Sequence, residues 1–165
     1  MADTSVIQQT PSLSIIAPML VQASLMLLIT LWLAWARVGS VTRGKVLMKD
    51  VAKNGWQGWI KNAGDNYSNN YEAPILFFIL CFVFLILEIS THVNVIGSFT
   101  ITVAWVFVVS RALHAVVHLS FNHILTRFLI FFVGIMCLII MTFMAWEVYQ
   151  NIAEYPNILR NWNFQ

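Results

Sequence analysis

The chain has 165 residues, 59% of them hydrophobic and only 10% charged, and its net charge is +2. Its mean hydropathy is +0.76, whereas a typical soluble domain carries about 25% charged residues. The composition therefore excludes an ordinary water-soluble enzyme and predicts an all-α integral membrane protein, and the charge is too small to argue for a nucleic-acid partner.

The first predicted element is an apolar run over 15–36, long enough to approach the ~20 residues that cross a hydrocarbon layer. No Lys or Arg precedes it, and the run exceeds the apolar core of a leader, so it reads as a permanent span. Loop 1, over 37–66, then carries Arg37, Arg43, Lys45, Lys49, Lys53 and Lys61. By the positive-inside rule, loops 1 and 3 face the cytoplasm and both termini face the opposite side. Within loop 1, Val46, Leu47 and Val51 set against Lys45, Lys49 and Lys53 allow a short amphipathic helix lying flat on the membrane. Trp56 and Trp59 beside Lys53 and Lys61 fit the same interfacial place, with anionic lipid headgroups as partners.

The second span is expected over 74–89, with Pro74 in or near its first turn, where a missing N–H costs little. This is short for a crossing unless the polar turn before it, over 67–73, lies in a protein-lined cavity. Glu88 reads as a solvated helix end, and His92 and Asn94 belong to the outer connection. Cys81 and Cys137 fall in mid-span, where no disulfide is expected.

The third span, 96–119, is interrupted by Arg111, His114 and His118, and Asn122 extends the series. An arginine at the centre of a membrane helix costs roughly 2.5–3.5 kcal/mol by insertion scales, so it persists where it faces a polar cavity or a partner. At about 100° per residue the four side chains lie within roughly 80° of one another. Val109, Leu113 and Val116 occupy the opposite, apolar face. The fourth span, 128–148, is opened by Arg127 and closed by Glu147, which reads as a solvated end. The tail beyond it, with Tyr155, Trp162 and Phe164, reads as an interfacial anchor.

Short connections after spans two and three imply antiparallel neighbours, hence a single domain over 1–165 built as an up-down four-helix bundle. His118, His114 and Arg111 then lie about 6, 12 and 17 Å from the cytoplasmic end of span three at 1.5 Å per residue. Glu72 and Asn69 stand near the start of span two and Arg127 opens span four, so the ionic side chains of three spans are expected to converge on the cytoplasmic half. Glu72 is the expected counter-charge of Arg111, either in a site or as a structural pair that sets helix register. His114 and His118, four residues apart, have a spacing that metal or haem ligands use, but without a third ligand no metal is assigned.

These residues resemble the membrane-associated proteins in eicosanoid and glutathione metabolism (MAPEG). The likeness rests on Asn69-x-x-Glu72-x-Pro74 leading into span two, Arg111-x-x-His114 on span three, and the arginine that opens span four. The string from Asn70 to Phe77, with Arg111 to Asn122, looks closest to a bacterial branch. What the resemblance implies is a homotrimer in a bacterial inner membrane, with glutathione as co-substrate in a cytoplasm-facing cleft between neighbours and a lipophilic small molecule as the other substrate. Asn69 and Glu72 would hold the ends of the tripeptide. Arg111, His114 and His118 would line the cleft, and Arg127 would stand by the sulfur as the catalytic residue. Arg37 or Arg43 would reach in from the neighbouring protomer. The sequence departs from better-known members at Ser68, His118 and Phe128, which leaves open a non-catalytic scaffold or lipid-binding subunit of the same fold.

Overall fold

The computed structural model describes residues 13–91 and 95–154. After one short 3-10 turn come five helices and, among the described residues, no strand: α1 (Ile16–Thr42), α2 (Met48–Asn54), α3 (Gly58–Thr91), α4 (Ser98–Leu119) and α5 (Ile124–Glu154). All but α2 are long and apolar enough to cross a membrane. The expected tail with Tyr155, Trp162 and Phe164, the outer His92 and Asn94, and the stretch before residue 13 lie outside the described residues.

In its apolar stretch α4 is 56% buried within the protomer, against 28%, 33% and 22% for α1, α3 and α5. It is therefore the central helix, packed against α5, α3 and α1, while α3 also touches α1 and α5. The core is apolar and continuous. Phe77 of α3 stacks on Phe107 of α4 with ring centroids 4.5 Å apart and planes 10° from parallel, and Phe84, Cys81, Ala104, Leu138 and Met141 close around them. Val109, Leu113 and Val116 point away from this core and are exposed, as their face of the helix predicts.

The second span differs from its expected bounds. α3 begins at Gly58 and carries Pro74 in its interior. What makes 58–73 helical is a buried stripe at helical spacing, Ile60, Ala63, Asn66, Asn70, Ala73 and Phe77, which lies on one face without being continuously apolar. Pro74 has no N–H to give the carbonyl of Asn70, so one helical bond is missing there. The bundle holds the helix together across that point. Thr30 of α1 and Tyr71 of α3 share a hydrogen bond of 2.8 Å one turn before it. Much of loop 1 is thus helix, and only 43–57 remains as the connection, with α2 inside it.

Glu88 is buried, not a solvated helix end. Its Oε2 accepts the backbone N–H groups of Val95 at 3.1 Å and Ile96 at 2.8 Å. Val95 and Ile96 thereby come back to the last turn of α3, and Glu88 satisfies two backbone donors that lie ahead of α4 and outside any helix.

Candidate functional site

The polar stripe on α4 is turned inward. Arg111, His114 and His118 are all buried, each 3% exposed or less. Arg111 lies against α5, where its Nη2 donates to the carbonyl of Phe131 at 3.2 Å. Its guanidinium carbon stands 4.8 Å from the Phe131 ring centroid and 5.7 Å from that of Phe107. Gly134 makes the room: a Cβ there would sit 2.8 Å from Arg111 Nη2 and 2.9 Å from Ser110 Oγ, closer than side chains pack. Among the described residues Arg111 Nε and Nη1 have no hydrogen-bond partner, so the cation is only partly satisfied within the chain.

One turn on, His114 Nδ1 lies 3.2 Å from the carbonyl oxygen of Arg127. Facing an acceptor, that nitrogen carries the ring proton, which leaves Nε2 as a bare lone pair, buried and unpartnered. The His118 ring is 5.9 Å from that of His114, and neither of its nitrogens has a partner. Arg127 itself opens α5 half-buried, its Nη1 donating to Asn122 Oδ1 at 2.7 Å. Asn122 has φ of 47°, a left-handed conformation that asparagine tolerates better than most residues. The arginine thereby braces the α4–α5 corner.

On α3 the structure parts from the expected convergence. Glu72 is exposed and forms no ion pair with Arg111. The reason is angular: Glu72 lies two residues, about 200°, round the helix from the inward-facing Asn70. Asn69 is half-buried and donates to the Asp65 carbonyl of its own helix at 3.0 Å. The buried polar groups on this helix are instead Asn66 and Asn70, which sequence reasoning passed over. Asn70 Nδ2 donates to both the carbonyl and the Oδ1 of Asn66, at 3.0 Å each, while Asn66 Nδ2 and Asn70 Oδ1 stay unpartnered. Their signal was present as an i, i+4 pair continuing the stripe of Ile60, Ala63 and Ala73.

Arg37 of α1 belongs to this end of the bundle too. Its guanidinium carbon lies 5.3 Å from the Trp56 ring centroid, Nη2 is 3.2 Å from where a Gly64 Cβ would sit, and Nε is buried without a partner. The structure thus brings Arg111, His114, His118 and the backbone of Arg127 together between α4 and α5. Glu72 stands on the outer side of α3 and Asn69 on its half-buried flank, and Arg37 of α1 packs against Trp56 and Gly64.

The chemistry of this donor set is cationic. Arg111 supplies its one fixed charge with no carboxylate against it, so the guanidinium suits an anion or a developing thiolate, while the bare lone pair of His114 Nε2 can only accept a proton from a ligand. Among the described residues no group of three His, Cys, Asp or Glu side chains could hold a metal ion. Cys81 and Cys137 are buried free thiols.

The family model described as MAPEG family matches residues 15–146, from the start of α1 into α5. No curated protein and no solved structure matches the chain.

Proposed function

Because the chain belongs to the MAPEG family, we propose that it is a membrane glutathione- or other thiol-dependent transferase or peroxidase, acting on a lipophilic electrophile as a homotrimer. One observation carries this reading: Arg111 is buried with two guanidinium nitrogens unpartnered and no carboxylate against it. A buried charge without a partner is costly, and an anionic ligand compensates it. In this reading Asn69 and Glu72 hold the ends of the tripeptide, Arg111, His114 and His118 line the cleft, and Arg37 reaches in from the neighbouring protomer. The exposed position of Glu72 in the single protomer favours a cleft completed by a second copy. Loops 1 and 3 are cytoplasmic, so the cleft opens towards the cytoplasm of a bacterial cell.

The chemical role falls to Arg127. A free thiol with pKa near ~8.5 is only slightly ionised at neutral pH, and a fixed cation nearby favours the thiolate, which is the nucleophile. Arginine is suited because it stays protonated at any working pH. The apolar co-substrate arrives laterally from the lipid.

A second reading, a non-catalytic scaffold or lipid-binding subunit of the same fold, draws on the bond from Arg127 to Asn122, since a side chain braced in a corner is a structural one. Nanodisc-reconstituted protein separates the two. Glutathione binds at millimolar concentration or tighter, and Arg127→Ala lowers thiol-dependent turnover about a hundredfold, the usual loss when one charge-stabilising group is removed. Asn122→Ala loosens the same corner but keeps the cation, and retains most of the rate. Absence of glutathione binding, together with a thiol-dependent rate indifferent to Arg127→Ala, would end the enzymatic reading.

A further inference from the structure

The connection between α1 and α3 has no place in the thiol chemistry, yet together with the helix ends that flank it, it carries the densest cluster of exposed cations and tryptophans among the described residues. α2 (Met48–Asn54) buries none of its residues. A seven-residue helix is below the length that is stable alone in water, and here the rest of the chain covers it only as far as half-burying Val51. Met48, Val51 and Ala52 lie on one side of it and Lys49 and Lys53 on the other, with Leu47 leading in on the apolar side and also exposed.

Beside α2 runs an aromatic row that crosses two helices. Trp32 and Trp35 of α1 have ring centroids 5.2 Å apart, and Trp59 of α3 follows at 6.4 Å from Trp35. All three are exposed, and the Arg43 guanidinium carbon stands 5.5 Å from the Trp35 ring centroid. Indole rings with an apolar body and an N–H favour the headgroup level of a bilayer. The charge beside them is one-sided. Among the described residues Arg43, Lys45, Lys49 and Lys53 are exposed and join no carboxylate, Asp50 is the one uncommitted acid between them, and Asp65 is taken by Lys61 at 2.7 Å.

We propose that α2 and the Trp32–Trp35–Trp59 row form a binding surface for anionic phospholipid headgroups in the leaflet on the loop-1 side of the membrane. The apolar side of α2 rests on the acyl boundary, which covers what the rest of the chain leaves exposed. Lys45, Lys49, Lys53 and Arg43 take the phosphates, and the tryptophans set the depth. A zwitterionic headgroup brings no net charge to such a cluster, whereas each basic side chain near an anionic surface is worth about a fivefold preference at low salt.

The test uses the full-length protein in nanodiscs of phosphatidylcholine containing a minor fraction of phosphatidylglycerol, with either lipid brominated on its acyl chains in turn. Brominated phosphatidylglycerol is expected to quench tryptophan fluorescence several-fold more per mole than brominated phosphatidylcholine, and high salt should shrink the excess. The combined Lys45→Gln, Lys49→Gln, Lys53→Gln variant should lose it, as should Trp35→Phe with Trp59→Phe, whereas Lys61→Gln should keep it. Native mass spectrometry of the same samples should show phosphatidylglycerol retained by the parent and lost from the triple variant. Equal quenching by the two lipids, or an excess that survives both the triple variant and high salt, overturns the proposal.

Discussion

At the scale of single residues, the most consequential position is one with no side chain. Gly134 lets the Arg111 guanidinium lie against the α5 backbone, and Gly134→Ala would put a methyl group 2.8 Å from Nη2. The arginine is clamped between two rings and a carbonyl, so it cannot swing aside freely. Gly134→Ala is expected to cost about 1–3 kcal/mol, as overpacking a tight core does, read as a lower thermal midpoint in detergent. A midpoint equal to that of the parent would mean that the guanidinium moves without penalty. Arg111, His114 and His118 were legible in the sequence because a charge or an imidazole in an apolar run has few innocent explanations. Their partners were not. The groups they meet are the backbone carbonyls of Phe131 and Arg127, and a carbonyl carries no residue-specific signature. Asn66 and Asn70 were missed for a related reason: a polar residue on an inward stripe looks the same in sequence as one on the outward side until the phase of the helix is known.

At the scale of elements, the joints decide more than the helices do. The α3–α4 joint depends on a buried carboxylate that accepts two backbone N–H groups. Glu88→Ala leaves those donors without their charged acceptor, and hydrogen bonds to charged groups are worth about 1.5–3 kcal/mol each at most. The expected outcome is a loss of about 2–3 kcal/mol, with faster amide exchange at Val95 and Ile96 as the local readout. Protection unchanged at those two amides would show that other contacts hold the joint. Sequence reading took Glu88 for a solvated end because its partners lie seven and eight residues further on, across a reversal that no local pattern announces. The four crossings themselves were legible from apolar length alone. The true start of α3 was not, because its first turns are held by a stripe that mixes Ile60 and Ala63 with asparagines, and length-of-apolar-run reasoning stops at Pro74.

For the molecule as a whole, the unpaired Glu72 is the informative feature. It is exposed in the single protomer, so Glu72→Gln is expected to leave the unfolding of an isolated protomer within about 0.5 kcal/mol, as surface substitutions usually do. The same change should weaken the proposed trimer, seen by light scattering of detergent-solubilised protein as a shift towards smaller assemblies on dilution. Loss of protomer stability with an unaltered assembly would be the contrary result, and would return Glu72 to a role within its own chain. Sequence could not decide this, because an apolar helix face looks alike whether lipid or a second copy covers it, and a lone acid does not say which chain supplies its partner.

The unequal lengths of the helices bear on the membrane that hosts them. α4 has 22 residues and α3 and α5 have 34 and 31, which at 1.5 Å per residue is about 33 Å against about 51 and 46 Å. Because the joints at 92–97 and 120–123 are short, the surplus of α3 emerges at one side and that of α5 at the other. The surplus turns carry exposed Lys61 and Asp65 on one side and Glu147 and Glu154 on the other, so they are built for headgroups and water. A thicker bilayer would have to bury those charges, so the cost of hydrophobic mismatch should rise sooner when the bilayer is made thicker than when it is made thinner.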